Sequence, residues 1–283
     1  MELQAFAKLN LTLDVLGRRE DGYHDMCMVM QSITLSDTLR LRPGTGDGIR
    51  IRTNAGFLPD GEDNLAAKAA RAFWDARGET PYPLEIEIDK HIPVCAGMAG
   101  GSSDAAAVLR GLNEQAGGPC SPMELAKIGE RVGSDVPYCV LGGTALAEGR
   151  GEILTPLAPL PPCWIVVCKP DFPISTPALF RKIDEVEVQG RPDTAGMIQA
   201  LEAGDLYGVA KRLYNVFEDA LEGTQKAEVD SIKATLLRCG ALGAAMSGSG
   251  PTAFGLFDDE EKAKQAYETL SGQYRETYLT QSV

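Results

Sequence analysis

Residues 94–108, VCAGMAGGSSDAAAV, set three glycines and two serines directly ahead of an alanine-rich run. Gly97, Gly100 and Gly101 let backbone N–H groups approach a ligand closely, and Ser102 and Ser103 stand at a helix start, whose free amides and dipole favour anions. Phosphate is the natural guest; the plainer reading is a glycine-rich turn whose serine caps a helix. Neither G-x-x-x-x-G-K-[ST] nor G-x-G-x-x-G is present, so the loop brings no lysine of its own. Lys8, beside Asn10 on a polar strand face, could supply the charge, although a lone lysine there ordinarily points into solvent. Asp135, in GSDVPY, is either a turn-former bonding its own backbone or a site carboxylate on a rigid corner. Tyr23 and His24, in DGYH, join an aromatic ring to an imidazole, which suits a flat, hydrogen-bonding ligand such as a nucleobase. A packed tyrosine beside an exposed histidine fits equally well. MSGSGP, residues 246–251, is a second small-residue loop that could be a turn and nothing more.

The elements that must position these groups follow from periodicity and punctuation. From Ala5 to Val15 apolar residues alternate with Lys8, Asn10, Thr12 and Asp14, a strand with one polar face. Residues 27–42 read as strand pieces around a turn, GIRIRTN as a short strand, and LEIEID, residues 84–89, as a strand leading into the glycine loop. Asn64 caps a helix running to about Arg77, with Gly78 as its stop. A helix after Ser103 gives way at Gly117 and Gly118. Ser121, Pro122 and Glu124 form a capping box for the next helix, which Gly133 ends, and SDVPY follows as a tight non-helical stretch. GTALAEGRGEIL reads as a hairpin and CWIVVCKP as a buried strand. FPISTPALFRKI is a loop entering a helix, with further helices near 205–221 and 226–239 and a final polar helix from about Asp259. Prolines 156, 159, 161 and 162 mark a linker and a domain boundary near 155–163. Strands lead the first half and helices the second, so the expected class is α+β.

Composition narrows the partners. The 283 residues are 44% hydrophobic, enough to fill one large core or two ordinary ones. A net charge of -13 argues against nucleic acid and against an anionic membrane, since both need a basic face. Mean hydropathy is -0.12, and neither a bilayer-length apolar run nor a basic-then-apolar leader is visible, so the expected location is the cytoplasm. Seven cysteines without a C-x-x-C read as reduced, mostly buried thiols.

Four stretches in order, AFAKLNLTLDVLGRREDGYHDM, PVCAGMAGGSSD, GSDVPY and GAAMSGSGPTAF, resemble the motifs of the GHMP kinase superfamily over the whole chain. The resemblance implies an N-terminal mixed α/β domain, residues 1–158, and a ferredoxin-like C-terminal domain, residues 159–283, contributing to the substrate site. It implies an ATP-dependent small-molecule kinase, with ATP held by Pro93, Val94, Cys95, Ala96, Gly97, Met98, Ala99, Gly100, Gly101, Ser102 and Ser103. Lys8 and Asp135 fall on the catalytic lysine and aspartate. The AKLNL and GRREDGYH stretches resemble those of the member acting on a cytidine diphosphate-linked methylerythritol. Asn10, Tyr23, His24, Thr176, Pro177 and Phe180 are then the substrate residues, two rings sandwiching the base while the histidine reads its edge. Mg²⁺ accompanies ATP with no dedicated protein cage, and the Ser102 hydroxyl and Asp104 carboxylate are its expected neighbours. A monomer or weak homodimer is expected, without nucleic acid or membrane. Two departures from the superfamily pattern stand out. Cys95, Ala96 and Ala99 occupy positions that are often glycine, and side chains there resist positive φ; Asp104, where some relatives have Asn, is expected to face a metal or solvent. A kinase for another small alcohol and a non-catalytic nucleotide binder are the competing readings.

Overall fold

The computed structural model describes residues 1–283. In chain order the elements are β1 (Glu2–Arg18), β2 (His24–Pro43), β3 (Ile49–Thr53), α1 (Leu65–Arg77), β4 (Leu84–Asp89), α2 (Gly100–Gln115), α3 (Pro122–Glu130) and α4 (Val136–Leu141). Then come β5 (Thr144–Gly149), β6 (Ile153–Pro156), β7 (Trp164–Lys169), α5 (Thr176–Ile183), α6 (Thr194–Glu202), α7 (Leu206–Ala210), the two-residue β8 (Tyr214–Asn215) and a 3-10 turn (Val216–Ala220). The chain ends with α8 (Gly223–Arg238), β9 (Gly243–Met246), β10 (Ala253–Phe257), α9 (Glu260–Ser271) and β11 (Glu276–Gln281). No helix is long and apolar enough to cross a membrane. Two compact units interleave in sequence: residues 1–7, 35–94 and 99–142 form one, and residues 8–34, 95–98 and 143–283 the other.

In the first unit β3 runs parallel to β4, and β4 antiparallel to the second half of β2, Thr38 facing Asp89 and Pro43 facing Leu84. Helices α1 to α4 bury their apolar faces against this sheet, around Phe73, Trp74, Ile86, Leu109 and Val136. Their ends obey local rules. The Asn64 side chain accepts from the Ala66 amide at 2.9 Å, and Gly78 closes α1 in the left-handed region at φ 64°. Ser121 and Glu124 make the reciprocal capping box of α3. SDVPY is not the non-helical stretch expected: α4 starts at Val136 and contains Pro137 in its first turn, where a missing N–H costs no hydrogen bond.

In the second unit the first half of β2 pairs antiparallel with β5, and β5 with β6, the expected hairpin. No turn interrupts residues 27–42, because β2 is one strand of 20 residues that finds β5 with its first half. A four-stranded antiparallel sheet in the order β11-β7-β10-β9 carries α8 and α9 between its strands. Counted along the chain this is order 4-1-3-2 with β-α-β-β-α-β connectivity, the ferredoxin-like arrangement. The expected helix over 205–221 is instead α7, β8 and the 3-10 turn. Tyr214 and Asn215 break it by pairing parallel with Thr12 and Leu13 of β1.

Candidate active site

Lys8 is not solvated. Every residue from Ala7 to Val15 is buried, and the polar face of β1 is internally paired: Lys8 Nζ donates to Asn10 Oδ1 at 2.5 Å, and Asn10 Nδ2 points to Met28 Sδ at 3.4 Å. The same strand holds the first half of the glycine loop. The Lys8 amide donates to the Met98 carbonyl at 3.2 Å, the Asn10 amide to Ser247 Oγ at 3.3 Å, and Ser247 Oγ to the Gly97 carbonyl at 3.0 Å. Gly97 has φ 73°, and a Cβ on it would lie 2.1 Å from the Ser247 carbonyl oxygen. Only glycine fits so close an approach. The Ser247 turn is fastened in turn by Asn215, whose Nδ2 donates to the Met246 and Gly248 carbonyls at 2.8 Å each. MSGSGP is therefore the wall against which the loop packs. Asn215 had no sequence signal, since it sits where a helix is expected.

The second half of the loop starts α2. Its N-cap, Ala99, has φ 56° and makes no side-chain capping bond, so the first amides of the helix face no protein acceptor side chain. Cys95 has φ 54°. Two of the three positions that depart from glycine thus adopt the backbone glycine favours, at about 1 kcal/mol or more each. Ser103 does not point at a ligand: its Oγ donates to the Phe6 carbonyl at 2.6 Å and its amide to the Ala99 carbonyl at 2.8 Å. Ser102 remains half-buried.

Asp104 faces neither solvent nor a metal. It is buried, its Oδ2 2.7 Å from Lys90 Nζ, which also contacts Asp37 Oδ2. Asp37 Oδ1 accepts from the His91 and Ile92 amides at 2.6 and 2.8 Å. One lysine cannot neutralise two buried carboxylates, and Asp104 Oδ1 has no hydrogen-bond partner. Burial, only partly offset by Lys90, pushes the Asp104 pKa up to about 8. This cluster pins both the chain entering the loop, at residues 91–92, and the helix leaving it. Sequence pattern singled out neither Lys90 nor Asp37, because charged residues on a strand end and a strand middle carry no local mark.

Asp135 is half-buried at the N-cap of α4, with no side-chain capping bond, while its carbonyl accepts from the Cys139 amide at 3.0 Å. The self-bonding turn-former is thereby excluded, and the carboxylate stays available. Lys8 belongs to one compact unit and Asp135 to the other.

The remaining expected residues fall in the second unit. His24, buried, stacks on Phe180 with centroids 4.8 Å apart and planes at 27°, and its Nε2 lies 2.8 Å from Asp184 Oδ1. Phe180 meets Phe217 edge-on at 4.9 Å. Tyr23 is 59% exposed, and the Arg150 guanidinium lies over one face of its ring, 5.3 Å from the centre. Thr176 Oγ1 is 2.7 Å from Ser249 Oγ, and Thr176 and Pro177 are exposed at the start of α5. No group of three or more His, Cys, Asp or Glu side chains is placed to hold a metal.

A buried lysine tied to a glycine loop, an uncapped helix N-terminus and a ferredoxin-like second sheet together define a class, and the comparisons agree. The family described as GHMP kinases N terminal domain matches residues 64–143, and GHMP kinases C terminal matches residues 197–276. The chain belongs to the GHMP kinases and is a small-molecule kinase. It is 45% identical over 282 residues to the 4-diphosphocytidyl-2-C-methyl-D-erythritol kinase of Alkaliphilus metalliredigens, covering 100% of this chain and 96% of that one. To the kinase of the same name from Clostridium tetani it is 43% identical over 283 residues, 100% of both. A crystal structure of 4-(cytidine 5'-diphospho)-2C-methyl-D-erythritol kinase superimposes with a TM-score of 0.82 at 33% identity, covering 100% of this chain and 99% of that one. L. major mevalonate kinase, at 18% identity and a TM-score of 0.75 over 100% of this chain and 95% of that one, shares the fold.

Proposed function

We propose that the protein transfers the γ-phosphoryl group of ATP to the 2-hydroxyl of 4-diphosphocytidyl-2-C-methyl-D-erythritol, a step of the non-mevalonate route to isoprenoid precursors. The observation that carries this reading is the full-length likeness to relatives of that name. ATP supplies the phosphoryl group, and such transfers ask the protein chiefly for positioning and charge stabilisation. Pro93 to Ser103 would hold the phosphates through the backbone amides at the start of α2, a fit supported by the uncapped Ala99 and the open φ values along the loop. Mg²⁺ would arrive with the phosphates. In this reading Asp135 orients the attacking hydroxyl and takes its proton. Lys8, held by Asn10, neutralises charge gathering on the nucleophile and the γ-phosphate. Truncating either is expected to cost about 10²- to 10³-fold in rate. Tyr23 and Phe180 would flank the cytosine and His24 would read its edge, with Asn10, Thr176 and Pro177 lining the same substrate. Residues 1–158 would carry the ATP loop together with Asn10, Tyr23 and His24, and residues 159–283 would contribute Thr176, Pro177 and Phe180 to the substrate site, supported by one family match on each side of that boundary. A cytoplasmic monomer or weak homodimer completes the reading, and light scattering checks its size.

A coupled assay for ADP release tests it. The cytidylylated erythritol should be turned over and the uncytidylylated erythritol phosphate should not. Equal turnover of both, or ATP binding without ADP release, would sink the assignment.

A further inference from the structure

We infer that Asp184 is a positioning residue that makes the enzyme select cytosine over uracil by fixing which nitrogen of His24 carries the proton. The inference rests on the proposed role of His24 at the base edge and deepens it.

A carboxylate oxygen accepts hydrogen bonds, so the 2.8 Å contact between His24 Nε2 and Asp184 Oδ1 requires Nε2 to be the protonated nitrogen. In the neutral ring Nδ1 then keeps its lone pair and can only accept. Nδ1 has no hydrogen-bond partner within the protein and is not sealed from solvent, which leaves it for a ligand. Cytosine offers an exocyclic amino donor where uracil offers a carbonyl acceptor. An Nδ1 acceptor therefore pairs with the first and opposes the second, and a site built to bond a polar group discriminates strongly against an analogue that leaves it unpaired.

The local structure holds the ring in that state. Phe180 and Asp184 are four residues apart at the end of α5, so the helix presents both on one side. Phe180 stacks on the imidazole face while Asp184 holds its edge, and a ring flip would lose the carboxylate bond. Asp184 stands at the C-cap of α5, where the helix dipole disfavours a negative charge and capping gives it no role. The contact with His24 accounts for a carboxylate in that place.

The test uses the full-length protein in two measurements. In long-range ¹⁵N–¹H spectra of ¹⁵N-histidine protein only two rings appear, His24 and His91, and a His91→Gln variant assigns them. His24 should show the Nε2–H pattern; an Nδ1–H pattern overturns the inference from the wild-type protein alone. The second measurement is kcat/KM for the cytidine-linked substrate against its uridine-linked analogue. Asp184→Ala should reduce the preference about tenfold, mainly through KM for the cytidine compound. Asp184→Lys, which presents a donor to Nε2, should reduce it further, and Asp184→Glu should restore it. A merely structural residue would lower both substrates together and leave the ratio unchanged, which overturns the inference. A wild-type enzyme that turns over neither compound overturns the functional reading itself, a distinguishable result.

Discussion

The glycine loop is fixed at its two ends by different physics. Around Gly97 the fixing is steric: a carbonyl sits where a Cβ would be, and the Ser247 hydroxyl and the Lys8 amide close on the backbone at 3.0 and 3.2 Å. Around Gly100 to Asp104 it is electrostatic: Lys90, Asp37 and Asp104 share a buried site with one cation and two carboxylates. Steric closeness tolerates no side chain but is indifferent to pH. A buried charge cluster tolerates side-chain exchange of the right polarity but answers to protons. A glycine loop without a lysine of its own thus rests on a rigid wall at one end and on a titratable clamp at the other.

That contrast can be broken most severely at the clamp. Asp37→Ala removes the charged acceptor of the His91 and Ile92 amides and leaves Lys90 with Asp104 alone, and unfolding by denaturant should show a loss of about 3–5 kcal/mol. A loss below about 1 kcal/mol would mean that the buried charges do not hold the loop. Next comes the wall: Gly97→Ala puts a Cβ 2.1 Å from a backbone oxygen at a positive φ, and should cost about 2–4 kcal/mol and raise KM for ATP. An unchanged KM would show that the close approach does not shape the phosphate site.

Smaller effects sharpen the difference. Asp104→Asn keeps an acceptor for Lys90 and deletes the ionisable group. With a folded pKa of about 8 against 3.8 unfolded, the proton on Asp104 contributes stability fully below about pH 3.8, and this is lost as pH rises through 8. Melting curves at pH 5 and pH 9 should therefore move in the variant's favour at the higher pH; a pH-independent difference would refute the shared proton. The same two curves on Gly97→Ala should differ from wild type by equal amounts. Smallest of all, Ala99→Gly relieves φ 56° at an N-cap where glycine is preferred to alanine, and should stabilise by about 0.5–1 kcal/mol despite a freer unfolded chain. Destabilisation there would mean that the methyl group has a packing role.

Much of this molecule is written locally. The Asn64 cap, the Gly78 stop, the Ser121 and Glu124 capping box, the hairpin at 144–156 and the strand carrying Lys8 all follow from residues within a few positions of one another. What escaped local reading shares one cause, pairing with distant chain. β2 runs unbroken because β5 and β4 each take part of it, and Tyr214 and Asn215 leave the helical pattern to join β1. The polar ETYLTQ stretch is a strand because β7 offers it an edge, and α6 likewise had no sequence assignment.

For the site, the sequence alone determined the loop, the polar strand face that carries Lys8 and the pairing of a ring with an imidazole at Tyr23 and His24. Types and spacing raise an anion and a flat polar ligand as the chemistry to look for, and leave a capped turn and a packed tyrosine as the plainer alternatives. Tertiary structure alone decided that Lys8 is buried, that the Ser103 hydroxyl is spent on Phe6, and that Asp104 answers to Lys90 rather than to a metal. It also decided that Asp184 touches His24 across 160 residues. A side chain's partners depend on which distant elements bury it, and burial sets both the strength of a charge and the direction of a hydrogen bond.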